Sequence, residues 1–215
     1  MSYFITVEGP DGAGKTTLIQ GLVDRLQADL QVPLLLTREP GGEPLAEKIR
    51  GVILDPKHTD LDPRAEALLY AASRRQHLVN KILPALAAGK MVLCDRYVDS
   101  SIAYQGYGRE IGAQGVAAIN EFAIEGKLPD MTLYLDLSAQ EGIDRIQANR
   151  EEAQQNRLDK EAIDFHERVV AGYQIINAQA GDRLVKIDAS QSPDRMQAQA
   201  LVAIKARFPQ CFKND

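Results

Sequence analysis

The chain has 215 residues, with 45% hydrophobic and 26% charged residues, no Trp, and a formal net charge of −5 from 25 Lys and Arg against 30 Asp and Glu. That length suits one domain that can bury a sizeable core, and the composition is that of an ordinary globular protein without repeats or low-complexity tracts. The acidic balance excludes a protein wrapped around a nucleic-acid backbone, which needs many phosphate-neutralising cations.

The N-terminus MSYFITVEG lacks the basic, apolar and small-residue regions of a secretory signal, and no apolar run approaches membrane-spanning length. Cys94 and Cys211 lie far apart, so a reducing cytoplasm fits better than a disulfide framework. Cys94 reads as a small buried residue on a strand.

In chain order, YFITVE (3–8) predicts a buried strand, and a glycine-rich turn leads from it into the amphipathic helix TTLIQGLVDRLQADL. VPLLLT (32–37) is a second apolar run, ended by REPGGEP, whose Pro and Gly residues force a loop before the helical pattern LAEKIRGVIL. The segment DPRAEALLYAASRRQHLVNKILPALAAG predicts a long helix, with Asp62 as N-cap, Pro63 at its first position, a kink at Pro84 and a stop at Gly89. KMVLCDRY (90–97), MTLYLDL (131–137) and RLVKIDA (183–189) predict three further strands, each separated from the next by helical patterns. The fold class is therefore α/β, a three-layer arrangement with a largely parallel five-stranded sheet covered by helices on both faces. Ligands in such sheets bind at the carboxyl ends of the strands. The polar stretch RIQANREEAQQNRLD (145–159) is either a solvated connection or a lid that excludes water from a reacting group.

The stretch EGPDGAGKTTL fits G-x-x-x-x-G-K-[ST], with Gly9, Pro10, Asp11, Gly12, Ala13 and Gly14 forming a phosphate cradle that leads into Lys15, Thr16 and Thr17. Its backbone N–H groups can share one concavity at the positive end of a helix. Lys15 is expected to reach the β- and γ-phosphates of a nucleotide, and Thr16 to supply a ligand to Mg2+. Asp95 closes the third strand, where phosphate-loop proteins place a carboxylate that acts on the metal directly or through water; the alternative is a strand-terminal Asp capping the next turn. Arg96 beside it suits a bidentate grip on phosphate better than a lysine would. An anionic ligand needs a local group of cations in so acidic a chain, and Arg38, Arg50, Arg74, Arg75 and Arg96 follow the loop, although each alone reads as solvated charge.

Tyr70 and Arg74 stand four residues apart, on one helix face and within reach of one planar ligand, although an aromatic at this spacing is more often core. DRYVDSSIAYQGYGR is dense in hydrogen-bonding side chains directly after a strand, a composition suited to a pocket. The histidines, His58, His77 and His166, show no metal-ligand spacing.

Taken in order and at these separations, EGPDGAGKTT, TREPGG, YAASRRQH, DRYVDSSIAYQG and NRLD resemble the bacterial thymidylate kinase family over most of the chain. That resemblance implies a phosphate-loop kinase fold spanning 1–215 as one domain with a lid around 145–159. It also implies transfer of the γ-phosphoryl of ATP to dTMP with Mg2+, and a homodimer that uses the helix from about 63 to 86. It further implies that Tyr70 stacks on thymine, that Arg74 and Gln105 read the base, and that Tyr104 lies against the sugar with Asp11 on its 3′-hydroxyl. Arg38 and Arg96 would grip the acceptor phosphate, with Arg50, Ser100 and Ser101 lining the pocket and a cis peptide between Glu39 and Pro40. Ala13 stands where the human and yeast type of loop carries an arginine. The resemblance therefore assigns that charge to a lid arginine, Arg150 or Arg157, and places Arg145 over the adenine.

Two other readings share these residues: a kinase of another nucleoside monophosphate or a deoxynucleoside, and a nucleotide-dependent switch. Against the switch, the guanine-binding pattern N-K-x-D is absent, since Asn80-Lys81 is followed by Ile82 and Leu83.

Overall fold

The computed structural model describes residues 2–149, 157–158 and 161–213. Five strands, β1 (Tyr3–Glu8), β2 (Leu34–Arg38), β3 (Met91–Asp95), β4 (Met131–Asp136) and β5 (Leu184–Asp188), form one all-parallel sheet in the order β2-β3-β1-β4-β5. Each falls within two residues of its sequence expectation. The central strands are continuous apolar runs because both faces are covered. Side-chain alternation sends Ile5, Val7, Leu93 and Leu133 to one face, and Phe4, Val92 and Cys94 to the other.

On the first face lie α1 (Lys15–Asp29) and α9 (Pro193–Arg207). Leu18, Leu22 and Leu26 recur every four residues along α1 and are fully buried with Ala200 and Ile204 of α9. Burial of each large apolar side chain contributes roughly 1.5–3 kcal/mol. The second face carries the long helix that begins as α3 (Pro63–His77), where the Asp62 carboxylate accepts from the backbone N–H groups of Arg64 and Ala65 at 2.9 and 3.0 Å. This helix widens into a π-turn over Leu78–Ile82, continues as α4 (Leu83–Ala87) and ends before Gly89, whose φ is +76°. The widening has a local cause: Pro84 has no N–H to return to the preceding turn, and its ring crowds the carbonyl there.

The other α-helices among the described residues are α2 (Pro44–Leu54), α5 (Val98–Ser101), α6 (Ala113–Ile124), α7 (Ala139–Asn149) and α8 (Ile163–Gln179). α5 runs directly into a second π-turn, Ile102–Gly108, against which α8 packs. Tyr104 and Gln105 lie in that turn, and π-turns recur at functional sites. Among the described residues, no helix is long and apolar enough to cross a membrane.

Candidate active site

A cavity of about 750 Å³ opens at the carboxyl ends of the strands. It is lined by the β1–α1 loop, by residues just after β2 and β3, and by α3 and the second π-turn.

In the loop, Gly9, Gly12 and Gly14 have φ of +143°, +78° and +86°, and Gly14 serves as the N-cap of α1 in the left-handed region. A side chain there would be strained, so the glycine pattern is a backbone requirement. Lys15 Nζ donates to the carbonyls of Gly9 (3.0 Å) and Pro10 (2.7 Å) and lies 4.0 Å from Asp11 Oδ1. Burial, aided by the nearby Arg96 charge, lowers its pKa from 10.5 to about 8, against the opposing pull of Asp11 and Asp95. Asp11, Gly12, Gly14, Lys15, Thr16 and Thr17 line the cavity. Gly9, Pro10 and Ala13 are buried behind it and shape the loop.

The loop also leans on α7. A Cβ on Gly12 would lie 2.2 Å from the Gly142 carbonyl oxygen, and one on Gly142 would lie 2.5 Å from that of Asp11. Two glycines 130 positions apart thus let two backbones touch.

Asp95 Oδ1 is buried without a hydrogen-bond partner among the described residues, and Asp95 lines the same cavity as Thr16. An orphaned carboxylate oxygen and a hydroxyl are the hard oxygen donors that Mg2+ takes. The described residues hold no cluster of three His, Cys, Asp or Glu.

Arg96 follows at φ +68°, a conformation that costs a side-chain-bearing residue on the order of 1 kcal/mol or more and is typical of functional positions. Its guanidinium donates to Asp11 Oδ1 (2.5 Å), Gly9 O (3.1 Å), Ser100 Oγ (3.1 Å) and Tyr104 OH (3.1 Å). Tyr104 OH donates in turn to Asp11 Oδ2 at 2.9 Å, and burial pushes its phenol well up, so it remains a donor. Behind this group Glu8 accepts from Tyr97 N (2.7 Å), Tyr173 OH (3.0 Å) and Ser100 Oγ. Burial, then the Asp99 charge, raises the Glu8 carboxyl above its ordinary range.

Arg38 and Arg50 both donate to the carbonyl of Pro40, at 3.2 and 3.0 Å, and the Glu39–Pro40 bond is cis. Arg38 also makes a bidentate pair with Glu47 at 2.8 and 3.1 Å. Burial and the neighbouring Arg38 lower the Arg50 pKa, so an anion at this spot would be favoured by both cations. Arg75 departs from the cluster, reaching Ala123 O at 3.2 Å and Glu125 at 3.0 Å.

Tyr70, Arg74 and Gln105 also line the cavity. Arg74 is 2% exposed, and it donates to Glu39 Oε2 (2.7 Å), Ser101 Oγ (3.0 Å), Tyr97 O (2.9 Å) and Asn120 Oδ1. These bonds take four of its five N–H donors, leaving one on Nη2. Gln105 Nε2 donates to Glu66 Oε1 at 2.8 Å, and Glu66 also accepts from Arg157. Arg157 Nε reaches Ile53 O at 3.3 Å, and Leu158 lines the cavity. Arg145 lines it as well, beside Gln191 and Pro193, with Nη1 on Ala189 O at 3.0 Å. Arg150 and most of the expected lid lie outside the described residues.

A family profile described as "Thymidylate kinase" matches residues 7–200. The chain belongs to the thymidylate kinase family. It is 53% identical over 209 residues to thymidylate kinase of Lacticaseibacillus casei, covering 97% of this chain and 98% of that one, and equally so to that of Enterococcus faecalis. The crystal structure of thymidylate kinase from Ehrlichia chaffeensis is similar at TM-score 0.74 and 31% identity, over 95% of this chain and 98% of that one. Its likeness agrees with the thymidylate kinase-type phosphate-loop fold expected from the sequence.

Sequence reasoning missed Glu66, Asn120 and Gly142. Asn120 carries a weak signal, being a polar residue on the apolar face of α6, whereas Glu66 shares its buried face with Ser73, Arg74 and His77 and does not stand out. Gly142 carries none beyond a glycine in a helical pattern.

Proposed function

We infer that the chain is an ATP-dependent dTMP kinase, transferring the γ-phosphoryl of ATP to dTMP to give dTDP and ADP on the route to dTTP. The observation that carries this is one cavity lined both by a phosphate loop and by the Tyr70–Arg74–Gln105 pocket, in a chain of this family.

Phosphoryl transfer asks the protein chiefly to align two nucleotides and to neutralise charge on the moving group. The loop N–H groups cradle the donor phosphates, and Lys15 exchanges the carbonyls of Gly9 and Pro10 for β- and γ-phosphate oxygens. Arg145, with Gln191 and Pro193 around it, covers the adenine. Thr16 and Asp95 would hold Mg2+, which would offset the charge of the donor phosphates. Arg38, Arg50 and Arg96 present the acceptor phosphate, and Ser100 and Ser101 hold Arg96 and Arg74 in place. Tyr70 stacks on the thymine, while the remaining Arg74 N–H and Gln105 read its edge. Tyr104 packs where a 2′-hydroxyl would project, and Asp11 takes the 3′-hydroxyl. No general base is required, because the acceptor is an ionised phosphate. A lid arginine, Arg150 or Arg157, supplies charge to the transition state.

The whole chain acts as one domain with its lid at 145–159, as a homodimer. The homodimer is supported by Phe122 of α6 and Leu68 of α3, large apolar side chains exposed at 87% and 56% on helices that pack together. A cytoplasmic setting accords with two buried free cysteines.

The test is ADP production from ATP and Mg2+, alone and with dTMP, dUMP, dCMP, AMP or thymidine added singly. Strong stimulation by dTMP, with dUMP weaker, is the expected result. Stimulation by a different acceptor refutes the pocket, and slow ADP release indifferent to all of them refutes the kinase.

A further inference from the structure

Neither the phosphate loop nor the acceptor-phosphate arginines use Glu66. It sits in α3 one turn before Tyr70 and is fully buried. A buried carboxylate needs compensation, which here comes from Arg157, and from Arg109 Nη2 at 3.4 Å, itself shared with Glu161 at 2.7 Å. Two guanidiniums suffice for charge, so the third partner has another consequence: Glu66 Oε1 also takes the Gln105 side-chain amide at 2.8 Å.

A carboxylate accepts hydrogen bonds and cannot donate them, so this contact admits only the NH2 end of Gln105. With one N–H spent on Glu66, the amide retains one N–H and its carbonyl oxygen. That donor–acceptor pair complements a pyrimidine edge in which a ring N3–H adjoins a 4-oxo group. Cytosine has the reverse pattern, an N3 acceptor beside a 4-amino donor. Reading cytosine would require turning the amide over, which sets its carbonyl oxygen against the Glu66 carboxylate, acceptor against acceptor with no proton between them.

We propose that Glu66 is a specificity-positioning residue that fixes the Gln105 amide in one orientation and so selects 4-oxo over 4-amino pyrimidine nucleotides at the acceptor site. This rests on the dTMP kinase reading, and deepens it by naming the residue that sets its base preference.

Glu66→Gln tests it, because glutamine nearly preserves the shape yet can donate to an inverted Gln105. kcat/KM for dTMP, dUMP and dCMP is measured on both proteins. dUMP is the internal control, since its base edge matches that of dTMP. The dTMP-to-dCMP and dUMP-to-dCMP preferences are expected to fall together by about tenfold or more, the range that follows from relieving one unpaired buried acceptor. Parallel loss on all three nucleotides, or no change in either ratio, overturns the proposal and leaves Glu66 a structural residue. No dTMP turnover by the wild-type protein would overturn the kinase reading and this proposal with it.

Should Glu66→Gln fail to fold, the wild-type Gln105 amide signals, assigned by their loss in Gln105→Met, decide the matter. One amide proton shifted downfield and protected from exchange supports the lock. Two fast-exchanging protons at ordinary positions refute it.

Discussion

Gly12 in the phosphate loop and Gly142 in α7 lie where two backbones touch: Gly142 fills the space that a Cβ on Gly12 would need, and the Asp11 carbonyl fills the space that a Cβ on Gly142 would need. Because α7 leads into the expected lid, donor loop and lid base are set by one contact. Gly142→Ala is expected to raise the KM for ATP while leaving that for dTMP nearly unchanged, and to destabilise the fold by about 1–3 kcal/mol through overpacking. Steady-state kinetics and a thermal melt check this; an unaltered ATP KM would rule it out.

Lys15 links pH to nucleotide binding. Its pKa is about 8 in the folded chain, against an ordinary value of 10.5. Between these values the unfolded chain binds the additional proton. The group's destabilising contribution is therefore present in full below pH 8 and is relieved as pH rises from about 8 to 10.5. Function runs the other way, because a neutral lysine attracts phosphate less. ATP affinity is expected to be flat below about pH 7.5 and to weaken above 8, by at most about tenfold per pH unit. Lys15→Arg keeps its charge throughout, so calorimetric titration of that variant should show weaker but pH-independent binding.

Asp95 should reveal itself through the metal. Chelation by EDTA is expected to abolish turnover, and Asp95→Asn to raise the Mg2+ concentration needed for half-maximal rate by about tenfold or more, since one anionic ligand is lost. A wild-type Mg2+ dependence in Asp95→Asn would return the residue to a turn-capping role.

The two lid arginines should separate kinetically. Arg157 is held by Glu66 and Ile53 O, beside Gln105, so Arg157→Ala is expected to act mainly on the KM for dTMP. Arg150→Ala is expected to lower kcat, by a factor approaching the 10³ or so at the lower end of arginine-finger effects. If both variants kept wild-type turnover, neither Arg150 nor Arg157 would act on the transferring group.

Phe122→Glu combined with Leu68→Glu places charge on the exposed apolar surface of α3 and α6. Light scattering should show a change from dimer to monomer at micromolar concentration. A persistent dimer would assign the interface to another face.

The sequence by itself determined the five strands, their largely parallel sheet and the glycine-rich turn between the first strand and its helix. Strand and helix periodicities, the Asp62 cap and the glycines of the loop are set by physics acting within a few residues. Helical spacing also paired Tyr70 with Arg74, but their roles, and the choice of Gln105, came only through motif resemblance. Tertiary structure decided how these residues are employed. Arg75 and Arg96 look alike in sequence, yet one serves α6 and the other the phosphate loop, because a helix face and a left-handed turn aim them apart. Arg74 has most of its donors bound to oxygens from three other segments, and Glu66 joins residues 39 and 91 positions away. Such contacts depend on how α3 lies against the π-turn and α7 against the loop. Packing of this kind arises from side-chain volumes summed over distant elements, and no local pattern in the chain encodes it.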